Sequence, residues 1–266
     1  MPGHYEIAHV AGTHLAYEAA GAGPCVALIH GFTLDARMWD DQVDALAQHR
    51  RVVRYDMRGF GQSAIPDRTS YTPAADLKAL LEYLHIGTAA ILGLSLGGGV
   101  ALDFAVSYPE STRALILVDA AVDGWEWSSE WNEQAGAVWT AGRESGSAAA
   151  KERWLAHPLF RPARQKPEVA RRLAHMVADY SGWHWLNKDP QQRPRPPTMQ
   201  RLACITAPTL IVVGEQDVAD FRAMADAFEQ DIPHSRKVVM PGVGHMANME
   251  DPERFNAIVG DFLDAC

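Results

Sequence analysis

The chain has 266 residues, long for one ordinary domain and short for two, so one large domain with an elaboration is expected. With 47% hydrophobic and 21% charged residues it is neither disordered nor fibrous, and a chain of this size builds its core without disulfides or metal. The formal charge of −9 and a pI near 5.6 argue against nucleic acid as a partner, because phosphates demand a basic footprint.

At the N-terminus, residues 1–6 have no basic region followed by an apolar run, so no secretory signal is expected. Residues 5–10 and 13–19 flank Ala11-Gly12 and read as a hairpin. Apolar β-type runs follow at 25–30, 52–56, 89–93, 114–119, 209–214 and 237–240. Helical patterns lie between them at 39–48, 73–85, 98–107 and 220–231, with a closing helix through 255–263. Thr72 before Pro73 marks a helix start, a capping hydroxyl followed by proline in the first turn. Strand–helix alternation with continuous apolar strands predicts an α/β fold, a mostly parallel eight-stranded sheet with helices on both faces. The longest apolar stretch, 88–106, carries Asp103 and several glycines and reads as strand, turn and helix, not as a membrane span. The three cysteines (Cys25, Cys204 and Cys266) are odd in number and widely spaced, which fits a reducing, cytoplasmic setting and no disulfide framework or zinc site.

One segment breaks the alternation. Residues 122–201 contain no convincing strand but seven of the eight tryptophans: Trp125, Trp127, Trp131, Trp139, Trp154, Trp183 and Trp185. The segment ends near the run Arg193-Pro194-Arg195-Pro196-Pro197. It carries 12 Lys and Arg against 9 Asp and Glu, a balance of +3, while the remainder carries 12 against 24. A helical lid inserted after the sixth strand accounts for these shifts and leaves 1–121 and 202–266 as the core. Most lid cations are expected on solvated faces; any that line an entrance would attract an anionic substrate.

Gly93-Leu94-Ser95-Leu96-Gly97 fits G-x-S-x-G and lies between an apolar strand and a helix, the context this motif requires. A serine on that strained turn stands above the sheet near helix N-terminal amides, and a Cβ two residues to either side would clash. Ser95 is therefore the candidate nucleophile. A base and an orienting acid follow such a serine in the order Asp or Glu, then His. Asp217 lies just past the run 209–214 and His245 just past the next, where the tips of neighbouring parallel strands converge. Asp119 and Asp220 are the rival acids. The amides of Phe32 and Leu96 are the candidate oxyanion hole, with His30 hydrogen-bonding the first of these loops in place. Leu94, Trp125, Trp131, Trp139, Trp154 and Met246 are expected to line the substrate pocket.

Gly59-Phe60-Gly61-Gln62-Ser63-Ala64 fits the dinucleotide pattern G-x-G-x-x-G/A, but Ile65-Pro66-Asp67 follows in place of a helix start. No nucleotide, metal or other cofactor is expected.

His30-Gly31-Phe32, the run Tyr55-Asp56-Met57-Arg58-Gly59-Phe60-Gly61-Gln62-Ser63, the serine turn, Asp217, and Gly244-His245 with Glu250-Asp251-Pro252 together resemble the α/β-hydrolase fold. The resemblance covers essentially all of the chain outside the lid. Leu94-Ser95-Leu96-Gly97-Gly98 and the stretch from Phe32 to Trp39 are most similar to 3-oxoadipate enol-lactonases and related small carboxylesterases. It implies a cofactor-free serine hydrolase that cleaves a small-molecule ester or lactone through an acyl-enzyme. The same triad also serves carbon–carbon bond hydrolysis and haloperoxidase-type perhydrolysis, and is kept in slow-turnover binding or signalling proteins. Haloalkane dehalogenases and soluble epoxide hydrolases would carry Asp where Ser95 stands, which argues against both. No membrane partner is expected, and the oligomeric state stays open.

Overall fold

The computed structural model describes residues 5–266, so the N-terminal reading falls largely on Met1–His4, outside the described residues. Strands β1 (Glu6–Val10) and β2 (Thr13–Ala20) form the expected hairpin. Its turn residues Ala11 and Gly12 have φ of 50° and 70°, the paired positive φ that matches the twist of the flanking strands. Six further strands follow: β3 (Cys25–Ile29), β4 (Arg51–Tyr55), β5 (Ala89–Leu94), β6 (Thr112–Val118), β7 (Thr209–Gly214) and β8 (Ser235–Met240). They make one sheet in the order β1-β2-β4-β3-β5-β6-β7-β8, in which β2 alone runs against the rest.

Every residue of β3, β5 and β7 is buried, which requires cover on both faces of the sheet. Helices α1 (Asp40–Ala47), α2 (Pro73–Tyr83) and α3 (Leu96–Ser107) alternate with the first strands. Thr72 caps α2 as expected, its Oγ1 accepting from the Ala75 amide at 3.2 Å. The predicted helix from residue 39 starts earlier, as a tight 3-10 turn over Ala36–Trp39 capped by Asp35. Between β6 and β7 lies the helical insertion, α4 (Ser129–Ser145), α5 (Ser147–Ala156), α6 (Arg161–Arg164), α7 (Pro167–Asp179) and α8 (Trp183–Leu186). Helices α9 (Ala219–Asp231), α10 (Ala247–Glu250) and α11 (Pro252–Asp264) complete the chain.

The strand order decides where a site can form. The chain leaves β3 toward β4 on one side, then returns to place β5 on the other, so the loops after β3 and β5 diverge and leave a crevice. The insertion covers that crevice. It is tied to the core by Arg37 to Asp179 at 2.9 Å, Arg172 to Asp41 at 2.6 Å, and a buried bond from Trp154 Nε1 to Thr33 Oγ1 at 2.8 Å.

Beneath the crevice, Arg58 grips Asp76 through two bonds, Nη2 to Oδ1 at 2.7 Å and Nε to Oδ2 at 3.0 Å. The guanidinium also lies 4.3 Å from the centre of the Tyr71 ring. Both charged side chains are buried, at 5% and 4% exposure, so removing one partner strands the other in a low dielectric. Arg58→Met or Asp76→Leu alone should therefore destabilise the fold by about 3–5 kcal/mol, and the double variant by less than either. Urea unfolding midpoints test this; single-variant losses below about 1 kcal/mol would contradict it.

Candidate active site

Strand β5 ends at Leu94 and α3 begins at Leu96, so Ser95 alone makes the turn. Its backbone sits at φ 56°, ψ −116°, a conformation that costs a non-glycine residue on the order of 1–3 kcal/mol. Its neighbours leave the necessary room. A Cβ on Gly93 would meet Gly97 O at 2.1 Å, one on Gly97 would meet Ile29 O at 2.3 Å, and one on Gly98 would meet the Ala120 Cβ at 2.3 Å. The Ser95 amide donates to Val118 O and its carbonyl accepts from the Ala121 amide, both at 3.0 Å, stitching the turn to the end of β6.

The loops after β7 and β8 close on each other. A Cβ on Gly214 would lie 2.1 Å from Gly244 O, and the amides of Glu215 and Gln216 donate to Met240 O and Val243 O at 3.0 and 2.8 Å. This contact brings Asp217 Oδ2 to 2.8 Å from His245 Nδ1. A carboxylate only accepts, so Nδ1 carries the proton and Nε2 presents its lone pair. That Nε2 is buried and has no hydrogen-bond partner. The Val218 amide holds Asp217 Oδ1 at 2.7 Å. Glu250 accepts from the amides of Gly244 and Met246 at 2.9 and 3.1 Å, gripping the backbone on both sides of His245.

The two rival acids are placed differently. Asp220 turns to the insertion, accepting from the Ser128 amide at 2.9 Å, Ser128 Oγ at 2.6 Å and Trp125 Nε1 at 3.4 Å. Asp119 stays close: one ligand-type atom each from Asp119, Asp217 and His245 lie within 4.8 Å of one another. Its Oδ1 accepts from the Gly214 amide at 2.8 Å, while Oδ2 is buried without a partner. Burial, and then the charge of Asp217, raise the Asp119 pKa well above the usual carboxylate range.

The loop after β3 is fixed by His30. The Met57 amide donates to His30 Nε2 at 2.9 Å, so the proton sits on Nδ1 and is donated to Gly31 O at 2.8 Å. Complete burial lowers the His30 pKa to about 4, which keeps this tautomer neutral. The next residue, Phe32, stacks on Trp139 with ring centres 5.5 Å apart and meets Phe60, Trp154 and Trp185 edge-on. Phe32 and Leu96 line the same cavity as Ser95. As the first residue of α3, Leu96 has an amide with no partner inside the helix.

That cavity holds about 540 Å³, and Ser95, His245, Leu94, Trp131, Trp139, Trp154 and Met246 all contribute to its wall. Trp125 does not; its indole points to Asp220 instead. Trp127, which the sequence reading did not single out, takes its place, stacked on Trp131 at 4.4 Å and packed on Phe221. The Phe221 ring in turn lies 4.4 Å from that of His245. Leu96, Gly99, Val100 and Asp103 share one face of α3 along the cavity, which puts Asp103 roughly 12 Å along the helix from Ser95.

The cavity lining carries more carboxylates than cations. Asp76, Asp103, Asp123 and Asp189 line the cavity against Arg58 and Arg193 alone. Arg58 is taken by Asp76 and Arg193 by Asp123 at 2.8 Å. Burial raises the Asp103 pKa to about 6, and Thr198 Oγ1 donates to its carboxylate at 2.5 Å. Three other cations of the insertion are used away from the cavity, Arg172 on Asp41, Lys166 on Glu250 O, and Arg164 on the carbonyls of Leu155 and His157. None of the three cysteines lines the cavity; burial pushes the Cys25 thiol up to about 12, while Cys204 and Cys266 are exposed.

The sequence profile of the alpha/beta hydrolase fold family matches residues 24–252. The chain belongs to this family. A putative carbamate hydrolase, RutD, of Klebsiella pneumoniae (strain 342) is 31% identical to it over 251 residues, 91% of this chain and 92% of the relative. The 3-oxoadipate enol-lactonase 1 of Acinetobacter baylyi is 27% identical over 90% of this chain and 88% of its own. Among solved structures, a thermophilic esterase from Thermogutta terrifontis superposes with a TM-score of 0.80 at 28% identity, covering 99% of each chain. No helix among the described residues is long and apolar enough to cross a membrane.

Within this α/β-hydrolase framework the serine turn depends on absent side chains as much as on present ones. Gly97→Ala places its Cβ against two backbone carbonyls, Ile29 O at 2.3 Å and His30 O at 2.6 Å, which cannot yield as a flexible side chain would. It should destabilise the protein by more than about 4 kcal/mol or prevent folding. Gly136→Ala, in α4 with nothing within 4 Å of the new Cβ, should instead stabilise by about 0.5–1 kcal/mol. Thermal unfolding of the pair tests this, and equal melting temperatures would overturn it.

Proposed function

We propose that this α/β-hydrolase cleaves a small carboxylic ester or lactone, with Ser95 as nucleophile, His245 as general base and Asp217 as orienting acid. One observation carries the reading. His245, its Nε2 unpartnered and its Nδ1 fixed by Asp217 at 2.8 Å, lines the same cavity as Ser95 on its strained turn. His245 takes the Ser95 proton as Oγ attacks the acyl carbon, and the resulting imidazolium is stabilised by Asp217. The amides of Phe32 and Leu96 hold the oxyanion. His245 then passes its proton to the departing alkoxide and activates the water that frees the acyl group. Residues 122–201 act as a lid that excludes bulk water and shapes the acyl site with Trp127, Trp131, Trp139 and Trp154. The free cysteines fit a reducing, cytoplasmic setting.

Ser95→Ala and His245→Ala should each lower kcat by about 10⁴–10⁶-fold on short-chain aryl esters, and the double variant by little more, because the two act as a unit. Asp217→Asn should cost about 10⁴-fold with the fold intact. A fluorophosphonate probe should label Ser95 and no other serine, read by peptide mass spectrometry. Full activity in Ser95→Ala would end the reading. A burst followed by negligible turnover across esters, lactones and carbamates would favour a binding protein instead.

The acidic lining predicts the response to substrate charge. Carboxylates at the cavity wall and a net charge of −9 repel a carboxylate-bearing ester, and salt shortens the reach of that repulsion from ~10 Å at 0.1 M to ~3 Å at 1 M. For such an ester kcat/KM should rise with salt, while a neutral ester of equal size should stay level. Parallel curves, or a fall for the anionic ester, would contradict this.

A further inference from the structure

Asp119 is a buried carboxyl that the proposed mechanism does not use. It follows β6 at the junction where the serine turn, β7 and the His245 loop meet: its amide donates to Val212 O at 2.9 Å and its Oδ1 accepts from the Gly214 amide at 2.8 Å. Its backbone sits at φ 42°, a left-handed conformation uncommon for a non-glycine residue. The side chain is buried, and its Oδ2 has no donor to accept from. Asp217 and His245 lie within 4.8 Å of it. Two ionised carboxylates packed this closely without a shared cation repel strongly, so one of them keeps its proton. Asp217 already accepts from His245 Nδ1 and from the Val218 amide, both bonds that favour its ionised form. Asp119 accepts a single amide. The proton therefore belongs on Asp119, and a protonated Oδ2 becomes a donor with Asp217 as the acceptor beside it.

We infer that Asp119 is a positioning residue of the triad, a neutral carboxylic acid whose O–H bonds to the Asp217 carboxylate and limits how strongly that carboxylate stabilises the His245 imidazolium. The inference rests on the proposed roles of Asp217 and His245. Burial, followed by the Asp217 charge, raises the Asp119 pKa in the sense it requires. The other titratable groups facing this cluster are Glu250, whose carboxylate is occupied by the Gly244 and Met246 amides, and His157, held neutral because burial lowers its pKa to about 4.

The sign of a shift tests the inference. Asp119→Ala removes the donor, leaves Asp217 with its full charge for the imidazolium, and should move the acid limb of kcat/KM upward by about one pH unit. It should also lower kcat by roughly 10–100-fold, because Asp217 loses the bond that orients it toward His245 Nδ1 and misorientation outweighs the gain in charge. Asp119→Asn keeps a donor toward Asp217 and an acceptor toward Gly214, so it should restore the wild-type limb and most of the lost kcat. If Asp119 were ionised, Asp119→Asn would remove a negative charge and move the limb downward; that result overturns the inference. An unmoved profile in Asp119→Ala also overturns it, leaving Asp119 a packing residue. Infrared spectroscopy at neutral pH gives a readout independent of turnover: the C=O stretch of a protonated carboxyl should be present in wild type and lost in Asp119→Asn. Full activity in Ser95→Ala would instead sink the triad reading, and leave the infrared result standing as a statement about Asp119 alone.

Discussion

The geometry of the site depends on one backbone constraint, the turn at Ser95. A side chain at φ 56° is tolerated only because the surrounding chain approaches it more closely than any Cβ at 93, 97 or 98 would permit. That close approach is itself productive. It presses α3 onto the carbonyls at the end of β3, so the loop bearing Phe32 and the first turn bearing Leu96 are held against each other. It also presses α3 onto Ala120, just past β6, which fixes Asp119 relative to Ser95. The strain of a few kcal/mol is offset by the burial of β5, every residue of which lies inside the sheet.

Around this turn the protein buries ionisable groups and shifts their equilibria toward the uncharged forms. Burial lowers the pKa of His30, His157 and His184 to about 4 and raises those of Asp56 and Asp103 to about 6. Each neutral imidazole has a structural use: His30 fixes the loop after β3, His157 accepts from the Leu159 amide at 3.2 Å, and His184 pairs with the Tyr180 hydroxyl at 2.8 Å. The sign of their effect on stability is fixed by the direction of the shift. A histidine whose pKa is depressed on folding stabilises the native state above its unfolded value of 6.5, and that contribution fades as pH falls toward 4. Asp56 and Asp103 act oppositely, since the native state holds their protons up to about 6 while the unfolded chain releases them near 3.8. The two sets partly cancel between pH 4 and 6. An environment that disfavours charge on its own side chains is also one in which the charges that remain act at low dielectric.

Much of this was legible in the chain because it is encoded locally. All eight strands were readable from apolar runs bounded by turn residues, and 209–214 matches β7 residue for residue. Asp217 and His245 could be paired across the sequence because neighbouring parallel strands deliver their loops to one edge of the sheet. What was not legible is side-chain direction within the insertion. Trp125 and Trp127 are two residues apart in a non-helical segment, and their choice between Asp220 and the cavity follows from where α9 packs. Which insertion cations face the cavity was not legible for a related reason. The excess of insertion cations is real, but Arg172, Lys166 and Arg164 are consumed by contacts with groups that lie elsewhere in the chain or on the backbone. Glu250 could be quoted from the sequence, yet its grip on the amides around His245 depends on a turn that no local pattern specifies.

Phe32 joins the two halves of the molecule. Its backbone belongs to the core loop after β3, while its ring is surrounded by Trp139, Trp154, Tyr180 and Trp185 of the insertion. Aromatic pairs of this kind contribute about 0.5–1.5 kcal/mol each beyond the area they bury. The adjoining Thr33 Oγ1 accepts from Trp154 Nε1, which ties the same loop to α5 by a directional bond. A displacement of α4, α5 or α8 away from the crevice would break these contacts first and free the loop that positions the Phe32 amide. Access to the cavity and the integrity of the loop that carries the proposed oxyanion amide are thus mechanically the same variable. A cover attached through the loops at its rim alone would leave the two independent.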